Sequence, residues 1–165
     1  MFRSAKRVLG GLGAVGIGVA ASLAVAAPAS AATYYRVWNT KSDKCMSVEG
    51  GGSTVNGANV IQWTCNTGYE QQWYWDGSRL RNRKSGKCLS VSGGGSTANG
   101  AEIIQWTCND GAEQKWDHWA SYRLENRKSG KLASVEDGGS TRNGARVIQW
   151  SDNGGAEQSW YFETR

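Results

Sequence analysis

The sequence predicts an all-β fold, a β-trefoil of three four-stranded repeats with pseudo-threefold symmetry. Three observations carry that expectation. A pattern of about 43 residues is written three times, and each copy ends in Gln-x-Trp: Gln71-Gln72-Trp73, Gln114-Lys115-Trp116 and Gln158-Ser159-Trp160. The upstream landmarks recur in register. Lys41-Ser42-Asp43-Lys44 matches Lys84-Ser85-Gly86-Lys87 and Lys128-Ser129-Gly130-Lys131, and Ile61-Gln62-Trp63 matches Ile104-Gln105-Trp106 and Ile148-Gln149-Trp150. Within each copy, four short apolar segments are separated by turn residues. A fixed period of this length marks one supersecondary unit repeated. A β-propeller also uses four-stranded units, but it typically needs four or more of them. A β-prism is a weaker alternative.

The first 31 residues lie outside the repeat. Arg3, Lys6 and Arg7 form a basic start, Val8 to Ala26 is an apolar run, and Ala29-Ser30-Ala31 offers small residues at a cleavage site. This is the pattern of a secretory signal peptide, cut after Ala31 or Ala32. A membrane anchor is the competing reading, opposed by Pro28 and the small-residue site. Losing Arg3, Lys6 and Arg7 takes the 19 basic residues to 16 against 14 acidic ones, so the net charge falls from +5 to +2. No long basic run remains, and nucleic acid is not expected as a partner. The trefoil is expected over residues 33–164, with repeats at about 33–76, 79–119 and 121–164. It is expected to be secreted, monomeric and free of membrane once the leader is removed.

In the first copy the expected strands are Tyr34 to Asn39, Cys45 to Glu49, Asn59 to Thr64 and Gln71 to Asp76. Gly, Asn and Ser punctuate them, as strands require and helices do not. Asp76-Gly77 signals a turn between copies. No segment after the leader sustains a 3.6-residue period. Trp73, Trp116 and Trp160 read as core pillars.

The cysteines follow the repeat. Four Cys allow three pairings. Cys45 and Cys65 lie 20 apart in copy one, Cys88 and Cys108 lie 20 apart in copy two, and copy three has Leu132 and Asp152 instead. Both partners vanish together, so the expected bonds are Cys45–Cys65 and Cys88–Cys108. Each is worth roughly 3 kcal/mol in the chain-entropy description. Metal-ligand spacings are missing and His118 is the sole histidine, so neither a metal nor another cofactor is expected.

The run Lys87-Cys88-Leu89-Ser90-Val91, then Gly94-Gly95-Ser96-Thr97-Ala98-Asn99-Gly100, then Gln105-Trp106-Thr107-Cys108-Asn109, then Gln114-Lys115-Trp116 resembles the ricin B-type (R-type) lectin repeat. It is also similar to carbohydrate-binding module family 13. The resemblance covers the chain from about Thr33 to Thr164. It implies a β-trefoil with up to three shallow sugar pockets, one per repeat. In galactose-binding members, an Asp two residues after the first Cys supplies a carboxylate; here Ser47, Ser90 and Ser134 stand there. The family's Asn before Gln-x-Trp is here Glu70, Glu113 and Glu157, and its Gln two residues before the stacking aromatic is Ile61, Ile104 and Ile148. The galactose constellation is intact in no copy.

A sugar site needs an aromatic face for the ring and fixed polar groups for the hydroxyls; a carboxylate is the strong acceptor. The resemblance makes Trp63, Trp106 and Trp150 the stacking aromatics. Strand alternation sets two readings against each other. Gln62 and Trp63 are adjacent and face opposite ways unless a bulge intervenes. If Trp63 faces the pocket, Gln62 is buried and must be hydrogen-bonded; if Gln62 faces out, Trp63 is core. Glu70, Glu113 and Glu157, helped by Gln71, Gln114 and Gln158, either hold sugar hydroxyls or bond turn amides. Asn66, Asn109 and Asn153 are turn residues first and ligand contacts second. Ser47, Ser90 and Ser134 line the pocket floor. Tyr69 occurs only in copy one and is expected to add an aromatic wall, which ranks site one first.

These residues favour a secreted carbohydrate-binding module without catalytic activity. The alternative is a secreted trefoil that binds protein, such as a protease inhibitor, since fold does not dictate function. An enzyme is the third option, weakened by the missing G-x-S-x-G motif and the isolated His118.

Overall fold

The computed structural model describes residues 31–165, so residues 1–30 of the expected leader lie outside the described residues. Twelve strands follow in order: β1 (Tyr35–Asn39), β2 (Cys45–Val48), β3 (Val60–Trp63), β4 (Gln72–Asp76), β5 (Arg79–Asn82), β6 (Cys88–Val91), β7 (Ile103–Trp106), β8 (Trp116–His118), β9 (Leu124–Asn126), β10 (Leu132–Val135), β11 (Val147–Trp150) and β12 (Trp160–Thr164). The first copy's strands fall within a residue or so of their expected bounds. The fourth begins at Gln72 because Tyr69–Gln71 makes a single 3₁₀ turn, repeated at Ala112–Gln114 and Ala156–Gln158.

The first and fourth strands of each copy form a six-stranded barrel. β1 pairs with β4 and β12, β4 with β5, and β8 with β9, all antiparallel. The ring is closed where Trp116 N–H donates to Ser78 O at 2.8 Å and Trp160 N–H donates to Tyr122 O at 2.7 Å. The middle strands of each copy pair as hairpins, β2–β3, β6–β7 and β10–β11. Bridges Asn59↔Ile104, Ile61↔Arg146 and Glu102↔Ile148 join the three hairpins into a triangular cap. This is the β-trefoil.

Equivalent residues from the three copies fill one core. Val37, Leu80 and Leu124 come from the first strands, Val48, Val91 and Val135 from the second, and Val60, Ile103 and Val147 from the third. Trp73, Trp116 and Trp160 are at most 1% exposed, as expected for pillars. Their indole N–H groups donate to Met46 O, Leu89 O and Ala133 O at 2.9 to 3.0 Å, which meets the hydrogen-bond requirement of a buried tryptophan. Disulfides join Cys45 to Cys65 and Cys88 to Cys108, the pairing that the repeat selects.

The copies are stitched to each other by buried amides. Gln62 Nε2 donates to Ser140 O and Arg142 O at 2.6 and 3.0 Å, and its Oε1 accepts from Ser42 Oγ at 2.7 Å. Gln105 makes the same bonds to Ser53 O, Val55 O and Ser85 Oγ, and Gln149 to Ser96 O, Ala98 O and Ser129 Oγ. Each glutamine therefore holds the loop of the preceding copy, with copy one closing on copy three. Among the described residues no buried side-chain nitrogen or oxygen lacks a partner. Replacing Gln105 by Leu keeps bulk but strands two loop carbonyls and a serine hydroxyl. We expect a loss of about 2–3 kcal/mol, read from the urea midpoint at constant m-value.

Candidate functional site

A cleft recurs at the same place in every copy, between the second and third strands and the turn that follows β2, β6 or β10. In copy one Ser47, Val48, Gly50, Gly51, Ile61, Trp63, Asn66 and Glu70 line a cavity of about 310 Å³. In copy two the equivalents Ser90, Val91, Gly93, Gly94, Ile104, Trp106, Asn109 and Glu113 line about 380 Å³. In copy three the cavity is about 490 Å³ and adds charge: Ser134, Ile148, Trp150, Asn153 and Glu157 are joined by Glu102, Glu136, Asp137 and Arg146.

The alternation question resolves in favour of outward tryptophans. Trp63, Trp106 and Trp150 are 44%, 43% and 40% exposed, while Gln62, Gln105 and Gln149 are wholly buried. The cost of burying an amide is met by the three hydrogen bonds that each glutamine makes. The outer edge of each indole rests 3.7 to 3.8 Å from where a side chain would begin at Gly144, Gly57 or Gly100 of the preceding copy, so that edge of each ring is backed while the ring stays partly open to solvent.

The carboxylate is positioned by the turn after the third strand. Asn66 Oδ1 accepts from Gly68 N–H at 2.6 Å, and Asn66 Nδ2 donates to Glu70 Oε1 at 3.1 Å. Asn109 and Glu113 repeat this at 3.2 Å, and Asn153 and Glu157 at 2.9 Å. A side chain at Gly68, Gly111 or Gly155 would push the carboxylate out of this position, so glycine there lets the carboxylate lie close over the turn. The structural role of the glutamate is the one on view. It braces the turn, and it lines the cleft with acceptor capacity remaining, since an ionised carboxylate offers about four lone-pair sites.

Two expectations are corrected. Gln71, Gln114 and Gln158 do not line the cleft. The 3₁₀ turn directs them inward, where they are at most 1% exposed and hold the loop: Gln71 Oε1 accepts from Asn66 N–H at 2.8 Å and its Nε2 donates to Thr64 O at 3.1 Å. Tyr69 adds no wall to pocket one. Its ring is exposed and packs under the Arg83 guanidinium at 4.0 Å, which removes the reason for ranking site one first. Sequence reasoning missed the turn residues of the cleft. Gly50 and Gly51 have φ of 63° and 66°, and in copy three Asp137 holds this conformation at φ 54°. The signal was the difference between copies, Asp137 standing where Gly50 and Gly93 stand.

A lysine from the next copy closes each turn. Lys84 Nζ donates to Gly51 O at 2.8 Å, Lys128 to Gly94 O at 2.9 Å and Lys41 to Gly138 O at 2.7 Å. His118 lies away from the clefts, with its ring 4.3 Å from that of Phe162 and its Nε2 3.2 Å from Trp160 O. Burial holds its pKa below the ordinary value.

In cleft three, burial alone would raise the Glu157 carboxyl. Hydrogen bonds from Asn153 and from its own backbone amide, with the charges of Lys41 and Arg123, outweigh burial and hold it below the usual glutamate value of 4.5. A carboxyl with a lowered folded value stabilises the fold above its unfolded value and loses that contribution as pH falls through the folded one. Thermal stability should therefore decline below about pH 4.5, and Glu157→Gln should flatten that decline. An unchanged acid slope in a melting series would contradict this account.

The profile of the ricin-type beta-trefoil lectin domain matches residues 33–160. No curated protein matches the sequence. Among solved structures, the designed threefold-symmetric protein ThreeFoil is 39% identical with a TM-score of 0.71, over 79% of this chain and 97% of its own. An exo-β-1,3-galactanase from Clostridium thermocellum is 35% identical with a TM-score of 0.73, over 84% of this chain and 31% of that one. The C-half of an earthworm R-type lectin, solved with GalNAc, shares the fold at 17% identity and a TM-score of 0.68, over 81% of this chain and 99% of its own. With the trefoil, its repeated clefts and the profile match in agreement, the chain belongs to the ricin-type β-trefoil lectin domain family, a family of carbohydrate-binding domains.

Proposed function

We propose that this protein is a secreted, non-catalytic module that binds a polysaccharide or glycan through up to three shallow pockets. The observation that carries this reading is one constellation presented three times: an outward tryptophan, a turn-braced glutamate with its asparagine, and a serine on the floor. Trp63, Trp106 and Trp150 would stack on sugar rings. Glu70, Glu113 and Glu157 with Asn66, Asn109 and Asn153 would take the hydroxyls, the glutamates standing in for the aspartate that Ser47, Ser90 and Ser134 replace. The basic start, apolar run and small-residue site at residues 1–31, and two disulfides, support export.

Pocket three is the strongest of the set. It is the largest of the three, and Glu102, Glu136 and Asp137 add carboxylates to that of Glu157, Asp137 standing where the other copies carry glycine and pairing with Arg142. Each shallow pocket binds weakly alone. Three on one body gain by linkage, on the order of 10² or more when the ligand spans them. Galactans are the first saccharides to try, because the 35% identical domain occurs in an exo-β-1,3-galactanase.

A glycan array that includes β-1,3-galactan tests the reading, with isothermal titration of the best responder. Single Trp63→Ala, Trp106→Ala and Trp150→Ala variants should remain folded by near-ultraviolet circular dichroism, and each should weaken polysaccharide binding. Trp150→Ala should cost most, roughly tenfold or more. The triple variant should not bind. Silence on every glycan, with saturable binding to a protease, would overturn the proposal.

A further inference from the structure

The three repeat pockets obey the pseudo-symmetry, whereas a fourth cleft breaks it. It lies where the last strand meets the first, and Arg36, Trp38, Asp43, Cys65, Tyr161 and Glu163 line a groove of about 620 Å³. The β1–β12 register sets Trp38 opposite Tyr161 and Arg36 opposite Glu163. Alternation puts all four on the outer face of the barrel, since Val37 and Trp160 beside them are in the core. The Trp38 and Tyr161 rings pack 5.3 Å apart, and Tyr122 adds a third ring 5.4 Å from Tyr161. Arg36 is held on Glu163 at 2.9 Å.

Two departures from the repeat converge here: where copy one has Trp38, the others have Arg81 and Glu125, and where copy one has Asp43, the others have Gly86 and Gly130, while Tyr161 matches Tyr74 of β4 and differs only from Asp117 of β8. At the equivalent place in copy two, Arg81 covers Tyr74 and pairs with Asp76. In copy three, Asp117 pairs with Arg127, and Glu125 accepts from the Trp119 indole. Asp43 adopts φ 56°, against 67° and 64° at the two glycines. A left-handed backbone is free for glycine and is tolerated by aspartate better than by most L-residues, so aspartate can stand here where most side chains could not. The Asp43 carboxylate makes no hydrogen bond or ion pair among the described residues. The cleft thus offers apolar ring faces beside a carboxylate, as the repeat pockets do, but here the carboxylate is uncommitted.

Cys65 lines this cleft and its neighbour Asn66 lines pocket one, so the two sites adjoin. We propose that the seam cleft is an accessory saccharide subsite that extends pocket one alone. Trp38 and Tyr161 would pack against a pyranose ring and Asp43 would accept from its hydroxyls. Copy one would then take a longer stretch of chain than copies two and three. The proposal rests on the saccharide reading of the repeat pockets.

The test follows indole N–H signals of the ¹⁵N-labelled protein during titration with β-1,3-galactotetraose, assigned by single Trp→Phe variants. The signal of Trp38 should shift together with that of Trp63. Asp43→Gly, which installs the residue of the other copies, should preserve the fold, weaken the Trp38 response by roughly tenfold and leave Trp106 and Trp150 responses unchanged. Shifts at Trp63, Trp106 or Trp150 with none at Trp38 would overturn the seam subsite and leave the repeat pockets standing. No indole shift at all would overturn both. A Trp38 shift that follows protein concentration without saccharide would identify a contact between copies and overturn the subsite.

Discussion

In each copy a buried glutamine side chain, Gln62, Gln105 or Gln149, donates two hydrogen bonds into the loop of the preceding copy and accepts one from a serine of its own. Much else follows from that. Because strand residues alternate, a glutamine that points inward turns the next residue, a tryptophan, outward. The loop that it holds carries the glycine against which that tryptophan leans. The same amide therefore ties three copies into one body, exposes the ring and backs it. A half-satisfied buried amide would be worse than an apolar core, and here both donors of each amide and its oxygen are engaged.

Repetition and its failures carry different information. What recurs three times is scaffold as much as site. The Gln-x-Trp tryptophans support the core, the asparagine–glutamate pair braces a turn, and a lysine from the next copy bonds the turn after the second strand. What does not recur points to specialisation. Asp137 and Asp43 each replace a glycine in one copy only, and each holds a left-handed backbone at a cleft. Glycine adopts that backbone freely and aspartate tolerates it; the Asp137 carboxylate pairs with Arg142 at 3.2 Å, whereas that of Asp43 makes no ion pair among the described residues.

Much of the fold was legible in the sequence, because a long period with paired cysteines leaves few architectures. The direction of Trp63 was not legible, because it depends on whether Gln62 finds partners, and those lie 78 and 80 residues away. Gln71 was misplaced because one 3₁₀ turn beside Glu70 separates a buried amide from a cleft carboxylate, and residue type does not distinguish the two. Tyr69 was misplaced because its partner, Arg83, comes from the next copy. The turn glycines were visible as a Gly-Gly-Gly run, but that they line the cleft depends on their positive φ. Asp137 was the residue most open to discovery, since aligning the copies isolates it.

The central claim is that each buried glutamine governs the loop of the preceding copy rather than its own. Hydrogen–deuterium exchange read by mass spectrometry on Gln62→Ala tests it directly. Exchange should rise in the copy-three segment around Ser140 to Gly144, while the equivalent loops around Ser53 to Gly57 and Ser96 to Gly100 keep their protection. A rise confined to the mutated copy, or no rise in the copy-three loop, would contradict the account.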